Sequence, residues 1–195
     1  MTDWLNYINV TRNKRPRQLL VQALPEVKER ETALDLGSGA LNDSRFLLSQ
    51  GFAQVIAVDN AINETQAFEL LDVSDELLSH FKFINSTIEN FVFSEAEYSL
   101  VNVQFVLPFI NQEKLSEVLE KIKKSLKPGG IFVGQFFGVR DSWGDFLQVG
   151  VMNEEEARNN LAGLEIIYFA EEEKNEEAAA KAIKHWHTFN FIVKK

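Results

Sequence analysis

The feature that most constrains this chain is a glycine loop at the end of its first predicted strand. Residues 32–36 form a short apolar run that contains Asp35 and ends at Gly37-Ser38-Gly39. The next residues are of helix-capping types, namely Asn42, Asp43 and Ser44. A Gly-x-Gly turn between a strand and a helix lets the backbone approach a ligand at the carboxyl edge of a parallel sheet. The segment therefore predicts an α/β fold with a ligand site beside the loop.

Apolar runs and helical patterns alternate along the middle of the chain, which is typical of a parallel sheet flanked by helices. The predicted strands comprise residues 32–36, 54–58, 81–85, 98–106 and 131–137. The predicted helices between them comprise residues 42–50, 64–78 and 112–126. The third of these helices is amphipathic, with an apolar stripe formed by Leu115, Val118, Leu119 and Ile122.

The C-terminal part departs from this alternation. A predicted helix at residues 153–161 precedes a strand at 164–170, a charged, alanine-rich stretch at 171–184 and a last strand at 185–193. The stretch lacks glycine and proline, and we expect it to be partly helical. Two consecutive strands without a full crossover helix indicate an antiparallel hairpin. We therefore predict an α/β sheet of seven strands, mostly parallel, with an antiparallel C-terminal hairpin and helices on both faces.

The residues around the loop indicate what it binds. A dinucleotide fingerprint needs a third glycine at the position of Asn42. Asp35 would repel a pyrophosphate, but it would attract the ammonium group of an amino-acid moiety. Asp59 follows the second predicted strand, twenty residues after Gly39. A carboxylate there accepts hydrogen bonds from both hydroxyls of a ribose, although a helix-capping or loop aspartate is the alternative.

Composition limits the classes of partner. The chain has 195 residues, a formal net charge of −9 and no cysteine. This charge disfavours a nucleic-acid substrate, because phosphate binding needs a positive face. The basic cluster of Arg12, Lys14, Arg15 and Arg17 is interpreted as a solvated helix start, with a local basic patch as the alternative. No segment approaches the roughly 20 apolar residues of a membrane span, and residues 1–17 do not resemble a signal peptide. We expect a cytoplasmic single domain over residues 1–195, with residues 1–31 as an N-terminal helical cap region.

Four motifs in order resemble those of class I S-adenosylmethionine-dependent methyltransferases. They are ALDLGSG, VIAVDN, YSLVNVQFVLPFI and LKPGGIFVGQFFG. The resemblance runs from about residue 32 to 193 and implies a Rossmann-like methyltransferase sheet with S-adenosylmethionine as cofactor. Within that superfamily, GQFFGVRDSW and KHWHTF are most similar to small tellurite-resistance-type methyltransferases. In one departure, Leu41 stands where many members have a third glycine.

The resemblance also implies the cofactor-binding residues. The predicted set is Asp35, Gly37, Ser38, Gly39, Asp59, Asn60, Thr87, Ile88 and Gln104. Strand four should end near the methyl group, so we expect Gln104, Phe105, Pro108 and Phe109 to line the cleft. Methyl transfer to a small-molecule acceptor is an in-line displacement, which needs orientation and exclusion of water but no metal.

The predicted hairpin suggests a general base. In this fold the last strand lies between strand five and the preceding strand, which brings Lys184, His185 and Trp186 toward residues 139–143. His185 would then act as the base with Asp141 orienting it, whereas a structural hydrogen bond or an exposed imidazole is the alternative. His187 lies deeper and is interpreted as structural.

Three questions stay open at this level. Trp4 and Tyr7 form either a lid over the cleft or a hydrophobic anchor for the N-terminal helix. The glutamates at the start of the hairpin connection form either a solvated face or a cation-selective rim; these are Glu171, Glu172, Glu173, Glu176 and Glu177. The chain acts either as a methyltransferase or as a non-catalytic S-adenosylmethionine-binding module in a complex, and its oligomeric state is not predicted.

Overall fold

The computed structural model describes residues 4–144, 149–177 and 183–195. Its strands are β1 Thr32–Leu36, β2 Gln54–Asp59, β3 Phe81–Asn85, β4 Tyr98–Val103, β5 Leu126–Gly138, β6 Val151–Met152, β7 Glu165–Glu177 and β8 Ile183–Lys194. Its α-helices are α1 Trp4–Thr11, α2 Gln18–Ala23, α3 Asn42–Ser49, α4 Glu64–Leu71, α5 Asp75–Leu78, α6 Gln112–Ser125 and α7 Glu154–Asn160. Short 3-10 helices occupy Leu24–Glu26 and Leu107–Phe109.

All the strands belong to one sheet with the order β3-β2-β1-β4-β5-β8-β7, and β6 pairs with the end of β5. Strands β1 to β5 are parallel, whereas β8 runs antiparallel to both β5 and β7. The predicted α/β sheet with an antiparallel C-terminal hairpin is therefore confirmed. The added strand is β6, a two-residue segment that pairs with Phe137 and Gly138.

Helices cover both faces of the sheet because its central strands are apolar on both sides. Leu34, Val101 and Phe132 pack in a core with α6 and α7. Ala33 and Leu100, from alternate positions, pack in a second core with α2, α3 and α4. Because side chains along a strand point alternately to opposite faces of the sheet, successive residues of β1 and β4 pack on opposite sides of the sheet.

Several predicted boundaries differ from the structure. The predicted helix at 64–78 is divided, because Asp72 is left-handed at φ 45° and Ser74 caps a new helix by accepting from Leu77 N. Strand β4 ends at Val103 rather than at residue 106, because Phe105 has a φ of 59°. Strand β5 begins at Leu126, since Leu126 already pairs with Tyr98 of β4, and Gly129 and Gly130 exchange backbone hydrogen bonds with Lys195.

The charged stretch was predicted to be partly helical, and for residues 171–177 that prediction is wrong. These residues continue β7 and pair with β8 from Glu171↔Phe189 to Glu177↔Ile183. Cross-strand hydrogen bonds between glutamates of β7 and histidines of β8 stabilise the extension. Residues 178–182 lie outside the described part of the chain. Within that part, no helix has the length and apolar character needed to cross a bilayer.

Candidate functional site

A cavity of about 810 Å³ lies at the carboxyl edge of the parallel strands. The glycine loop and the ends of β2 and β4 form one side of it, and α1 with the segment before α2 forms another. All nine residues of the predicted cofactor set line this cavity. A volume of this size is within the usual range of small-molecule sites, about 300–1,000 Å³.

The glycine loop needs its glycines for two reasons. Gly37 and Gly39 have φ values of 68° and 51°, a region that side chains disfavour. A Cβ at Gly37 would also lie 2.4 Å from Val106 Cγ2. Gly37 N donates to Val58 O at 2.8 Å, which joins the loop to β2. The backbone therefore runs close to the strand ends and leaves the space beside it open.

Leu41 stands where many members of the family have a third glycine, and it adopts the backbone conformation that a glycine would adopt there. It is fully buried and has a φ of 59°, so the chain adopts the left-handed conformation there despite the side chain. Leu41 N donates to Ser38 O at 2.9 Å. Asn42, Asp43 and Ser44, which were predicted to cap the helix, lie within α3, and its N-cap is Leu41 with no side-chain cap bond.

Asp59 links the loop to the end of β2. Its Oδ2 accepts from Gly39 N at 2.8 Å, and its Oδ1 accepts from Ala61 N at 2.8 Å. Each carboxylate oxygen has room for a second donor, because a carboxylate offers about four acceptor positions. The residue lines the cavity, so its carboxylate is available to a hydroxyl donor there.

Asp35 is buried beneath the loop among polar partners. Its Oδ2 accepts from Ser44 Oγ at 2.5 Å, and its Oδ1 accepts from Asn102 Nδ2 at 2.8 Å. Asn102 Nδ2 also donates to Asp43 Oδ2 at 3.2 Å, so two carboxylates share one amide. Burial and the neighbouring Asp43 raise the pKa of Asp35 to about 7, and burial also raises the pKa of Asp43. A cation placed beside Asp35 would favour its ionised form.

A chain of amides leads from Asp35 across the sheet. Gln104 Nε2 donates to Asn102 Oδ1 at 2.9 Å, and Gln135 Nε2 donates to Gln104 Oε1 at 2.6 Å. Gln135 Oε1 then accepts from Phe105 N at 2.9 Å. This network holds the left-handed backbone of Phe105, and with it the orientation of the residues that follow β4.

The opposite end of the cavity is aromatic. Trp4, Tyr7, Phe105, Phe109 and Trp143 line it. Trp4 contacts both Tyr7 and Phe109 edge-on, with ring centroids 6.0 and 5.3 Å apart. Helix α1 thus covers the aromatic end, and its tryptophan serves both as a cover and as an anchor. Gln104, Phe105 and Phe109 line the cavity as predicted, whereas Pro108 is buried outside the lining.

Three basic residues also line the cavity, namely Lys14, Arg15 and Arg17. Arg17 N donates to Asp43 Oδ1 at 2.8 Å, while its guanidinium donates to the Tyr7 hydroxyl at 2.9 Å. The same guanidinium lies 4.8 Å from the centroid of Phe105. The interpretation of this segment as a solvated helix start is wrong for Arg17, because the path of the chain between α1 and α2 turns its side chain into the cavity.

The loop after β5 and the start of β8 do meet, but not through the predicted pair. Asp141 Oδ1 accepts from Lys184 Nζ at 2.5 Å and from Trp143 N at 2.9 Å, and Asp141 Oδ2 accepts from His187 N at 3.2 Å. His185 instead contacts Asn175 Oδ1 and Glu173 Oε1. The prediction that Asp141 orients His185 is wrong.

Strand alternation explains the correction. Residues 185, 189 and 191 occupy one face of β8, where the two phenylalanines pack in the core under α6 and α7. Lys184 and Trp186 occupy the other face, beside Trp143 and Phe137. His185 is therefore directed away from the aromatic end and does not line the cavity.

The remaining polar groups of the hairpin pair with one another. His187 is buried; its Nδ1 accepts from Arg140 N at 3.0 Å, and its Nε2 lies 2.8 Å from Glu171 Oε1. Arg140 binds both Glu171 and Glu173. The hydrogen bonds from Arg140 and His185 lower the pKa of Glu173 to about 2. His187 has the structural surroundings that were expected, and at least three of the five glutamates, Glu171, Glu173 and Glu176, have partners within the hairpin or the loop before it.

Sequence reasoning did not single out two of the groups found here, Asn102 and Gln135, and it brought a third, Lys184, toward residues 139–143 without giving it a role. Asn102 joins the two buried carboxylates, Gln135 holds Phe105, and Lys184 is the partner of Asp141. Asn102 and Gln135 interrupt apolar strands, and a polar residue inside such a strand is a signal that points to a buried network.

Comparisons with known proteins agree with this geometry. The family model described as a methyltransferase domain matches residues 33–130, about half of the chain. The chain is 28% identical over 132 residues to a carboxy-S-adenosyl-L-methionine synthase from Vibrio campbellii. That match covers 67% of this chain and 53% of the relative, so the chain spans about half the length of that curated protein.

Solved structures share the fold at low sequence identity. One is the 1,6-didemethyltoxoflavin-N1-methyltransferase of Burkholderia thailandensis, bound to 1,6-didemethyltoxoflavin and S-adenosylhomocysteine. Its TM-score is 0.70 and its identity 17%, over 92% of this chain and 77% of that one. TehB from Haemophilus influenzae has a TM-score of 0.72 and 17% identity, over 90% of this chain and 61% of that one. A Haloferax volcanii structure of a methyltransferase with its Trm112 activator has a TM-score of 0.73 and 16% identity, over 98% and 93%.

Proposed function

Because the chain belongs to the class I S-adenosylmethionine-dependent methyltransferases, we propose that it transfers a methyl group from S-adenosylmethionine to a small-molecule acceptor by in-line displacement. The observation that carries the proposal is the continuity of one cavity. Asp35, the glycine loop and Asp59 line one end, and a group of aromatic side chains lines the other. Cofactor and acceptor would therefore share a single cavity.

The residues at the loop end suit the cofactor. Asp35 would accept from its ammonium group, and Asp59 would accept from its ribose hydroxyls while holding Gly39. Asn60, Thr87 and Ile88 line the cavity next to Asp59 and would surround the adenine. Within the described residues, Ser38 Oγ and Asn42 Oδ1 are buried cavity atoms that have no hydrogen-bond partner. Such atoms favour a polar ligand over an empty apolar space.

The cofactor supplies an electrophilic methyl group on a sulfonium. The acceptor atom forms a bond to the methyl carbon while the carbon–sulfur bond breaks and its electron pair stays on sulfur. Gln104, directly after β4, also lines the cavity, and the aromatic residues would exclude water and orient the acceptor. Orientation, rather than a dedicated base, is the contribution that these residues support.

Calorimetry tests cofactor binding. We expect the protein to bind S-adenosylmethionine and S-adenosylhomocysteine but not NAD. Charge-assisted hydrogen bonds contribute about 1.5–3 kcal/mol each, so Asp59→Asn should weaken S-adenosylhomocysteine binding at least about tenfold. The exposed Asp75→Asn is the matched control and should bind as the wild type does. Binding of NAD alone, or unchanged binding by Asp59→Asn, would contradict the assignment.

A second measurement separates a catalyst from a non-catalytic binding module. Release of S-adenosylhomocysteine is followed across a panel of small thiols, amines, carboxylates and tellurite or selenite oxyanions. Turnover with any acceptor supports the methyltransferase. Tight cofactor binding with no turnover over the panel would favour the binding-module alternative.

A further inference from the structure

The aromatic end of the cavity holds a cation where an acceptor would lie. Arg17 is placed there by three contacts: its backbone N–H donates to Asp43, its guanidinium donates to the Tyr7 hydroxyl, and that guanidinium lies over the Phe105 ring. Tyr7 contacts Trp4, which contacts Phe109. The guanidinium is thus part of the aromatic end rather than of the glycine loop.

Arg17 has unused binding capacity. A guanidinium carries five N–H donors, and the hydrogen bond to Tyr7 uses one of them. Within residues 4–144, 149–177 and 183–195, no carboxylate forms an ion pair with Lys14, Arg15 or Arg17. A stacked, half-buried guanidinium is well suited to a planar anion, because its fork matches a carboxylate.

Asp43 lies next to Arg17 and accepts from its backbone N–H, but among the described residues no cavity carboxylate forms an ion pair with the Arg17 guanidinium. Asp35 and Asp43 share the amide of Asn102, Asp59 holds the loop, and Glu89 accepts from Asn111 N at 3.5 Å. Four acidic and three basic side chains line the cavity, so the lining as a whole has no excess of positive charge. The relevant feature is local: in the part of the chain that the structure describes, the Arg17 guanidinium forms no ion pair, and its neighbours are Tyr7 and Phe105. An anionic group on the acceptor would complement this single cation.

We propose that the methyl acceptor is a planar aromatic acid, with its ring between Phe105, Phe109 and Trp143 and its carboxylate on the Arg17 guanidinium. This inference rests on the proposed function, since it concerns the acceptor end of the same cavity. The aromatic residues provide faces and edges for stacking with a flat ring. Arg17 adds selection of charge, so the site should distinguish an acid from its neutral amide.

Binding to the S-adenosylhomocysteine-loaded protein tests the proposal. The probes are benzoate, 2-naphthoate and indole-3-carboxylate, each with its primary amide, and cyclohexanecarboxylate as a non-planar acid. We expect at least one aromatic acid to bind about tenfold or more tightly than both its amide and the non-planar acid. Arg17→Gln should remove that preference and leave the affinity for S-adenosylhomocysteine within about threefold of wild type. Arg17→Lys, which keeps the charge without the planar fork, should retain only part of it.

The matched control is Arg12→Gln. Arg12 belongs to the same basic segment, but its guanidinium contacts Glu69 O on the surface and does not line the cavity. It should leave both affinities unchanged. Failure of the wild type to bind S-adenosylhomocysteine would contradict the proposed function itself. If the cofactor product binds but no aromatic acid binds better than its amide, the inference alone is wrong. It is also wrong if Arg17→Gln reduces S-adenosylhomocysteine binding and leaves acid binding intact, because Arg17 would then hold the cofactor carboxylate.

Discussion

At the scale of single residues, the site depends on two carboxylates buried side by side. Asp35 and Asp43 are 2% and 9% exposed, and Asn102 donates to both. Neither carboxylate forms an ion pair with a basic side chain in the described part of the chain. Burial makes their ionisation costly; the nearby Arg17 offsets part of this cost at Asp43, and a ligand ammonium group beside Asp35 would offset it there.

Replacing Asp35 by asparagine should make this cost measurable. Burial raises the pKa of folded Asp35 from 3.8 to about 7, so folding takes up a proton between these values. The free energy of unfolding of the wild type should then fall as pH rises from about 4 to 7, by at most about 4 kcal/mol from this group. Asp35→Asn lacks this loss, so its stability relative to wild type should increase between pH 5 and pH 8 in urea denaturation. A difference that does not change with pH, as expected for Asp75→Asn, would show that Asp35 is ionised normally.

At the scale of elements, left-handed residues shape both the loop and the end of β4. Gly37, Gly39 and Leu41 turn the chain from β1 into α3, and Phe105 turns it away from β4. The two turns touch, because Val106 packs against Gly37. The glycine loop and the turn after β4 therefore support one another.

Gly37→Ala should disturb this contact more than it strains the backbone. A left-handed alanine costs about 1–2 kcal/mol, and the new methyl group would also force Val106 to move. Gly163→Ala is the control, because Gly163 has a φ of 87° with nothing within 4 Å of an added Cβ. Both variants should lose stability in urea denaturation, Gly37→Ala by more, and only Gly37→Ala should weaken S-adenosylhomocysteine binding in calorimetry. Equal effects on stability with intact binding would argue against the contact.

At the scale of the whole molecule, one buried ion pair joins distant parts of the chain. Asp141 follows β5 and Lys184 begins β8; the two side chains are 0% and 3% exposed. Lys184 Nζ lies 3.7 Å from the Trp186 ring centroid and 4.6 Å from that of Trp143, while burial lowers the pKa of this lysine. The pair thus holds Trp143 on the cavity wall through a contact between residues 43 positions apart in the sequence.

Breaking this pair should be costly. Removal of one partner of a buried ion pair typically destabilises a protein by about 3–5 kcal/mol, so Asp141→Asn should lower the free energy of unfolding by that order. Lys184→Met combined with Asp141→Asn should cost less than the sum of the two single variants, because the double variant leaves no unpaired buried charge. Urea denaturation of the four proteins measures the coupling. The exposed pair of Arg158 and Glu154 offers a comparison, for which we expect at most about 1 kcal/mol of coupling. Additive effects at Asp141 and Lys184 would contradict this account.

Local patterns in the sequence were sufficient to predict the parallel sheet and the loop end of the cavity, with Asp35, the glycine loop and Asp59. The runs of β1 to β3 were located to within a residue. Strands β1 and β2 are buried on both faces and therefore mostly apolar, whereas β3, at the edge of the sheet, alternates buried and exposed residues at its start. Asp35, the glycine loop and Asp59 were placed together because the carboxyl ends of parallel strands meet at one edge of a sheet. These inferences depend only on neighbours in sequence and on a rule of topology.

Only the tertiary structure showed which residues form the aromatic end of the cavity. Arg17, Trp4 and Tyr7 line the cavity because α1 packs over the strand ends, which no local pattern specifies. Asp141 pairs with Lys184 rather than with His185 because the register of β8 sets which face each residue occupies, and a shift of one residue exchanges the faces. The amino-acid sequence by itself thus determined the parallel sheet and the glycine loop, because these depend on neighbouring residues. Strand register and long-range packing determined which charged and aromatic side chains complete the site.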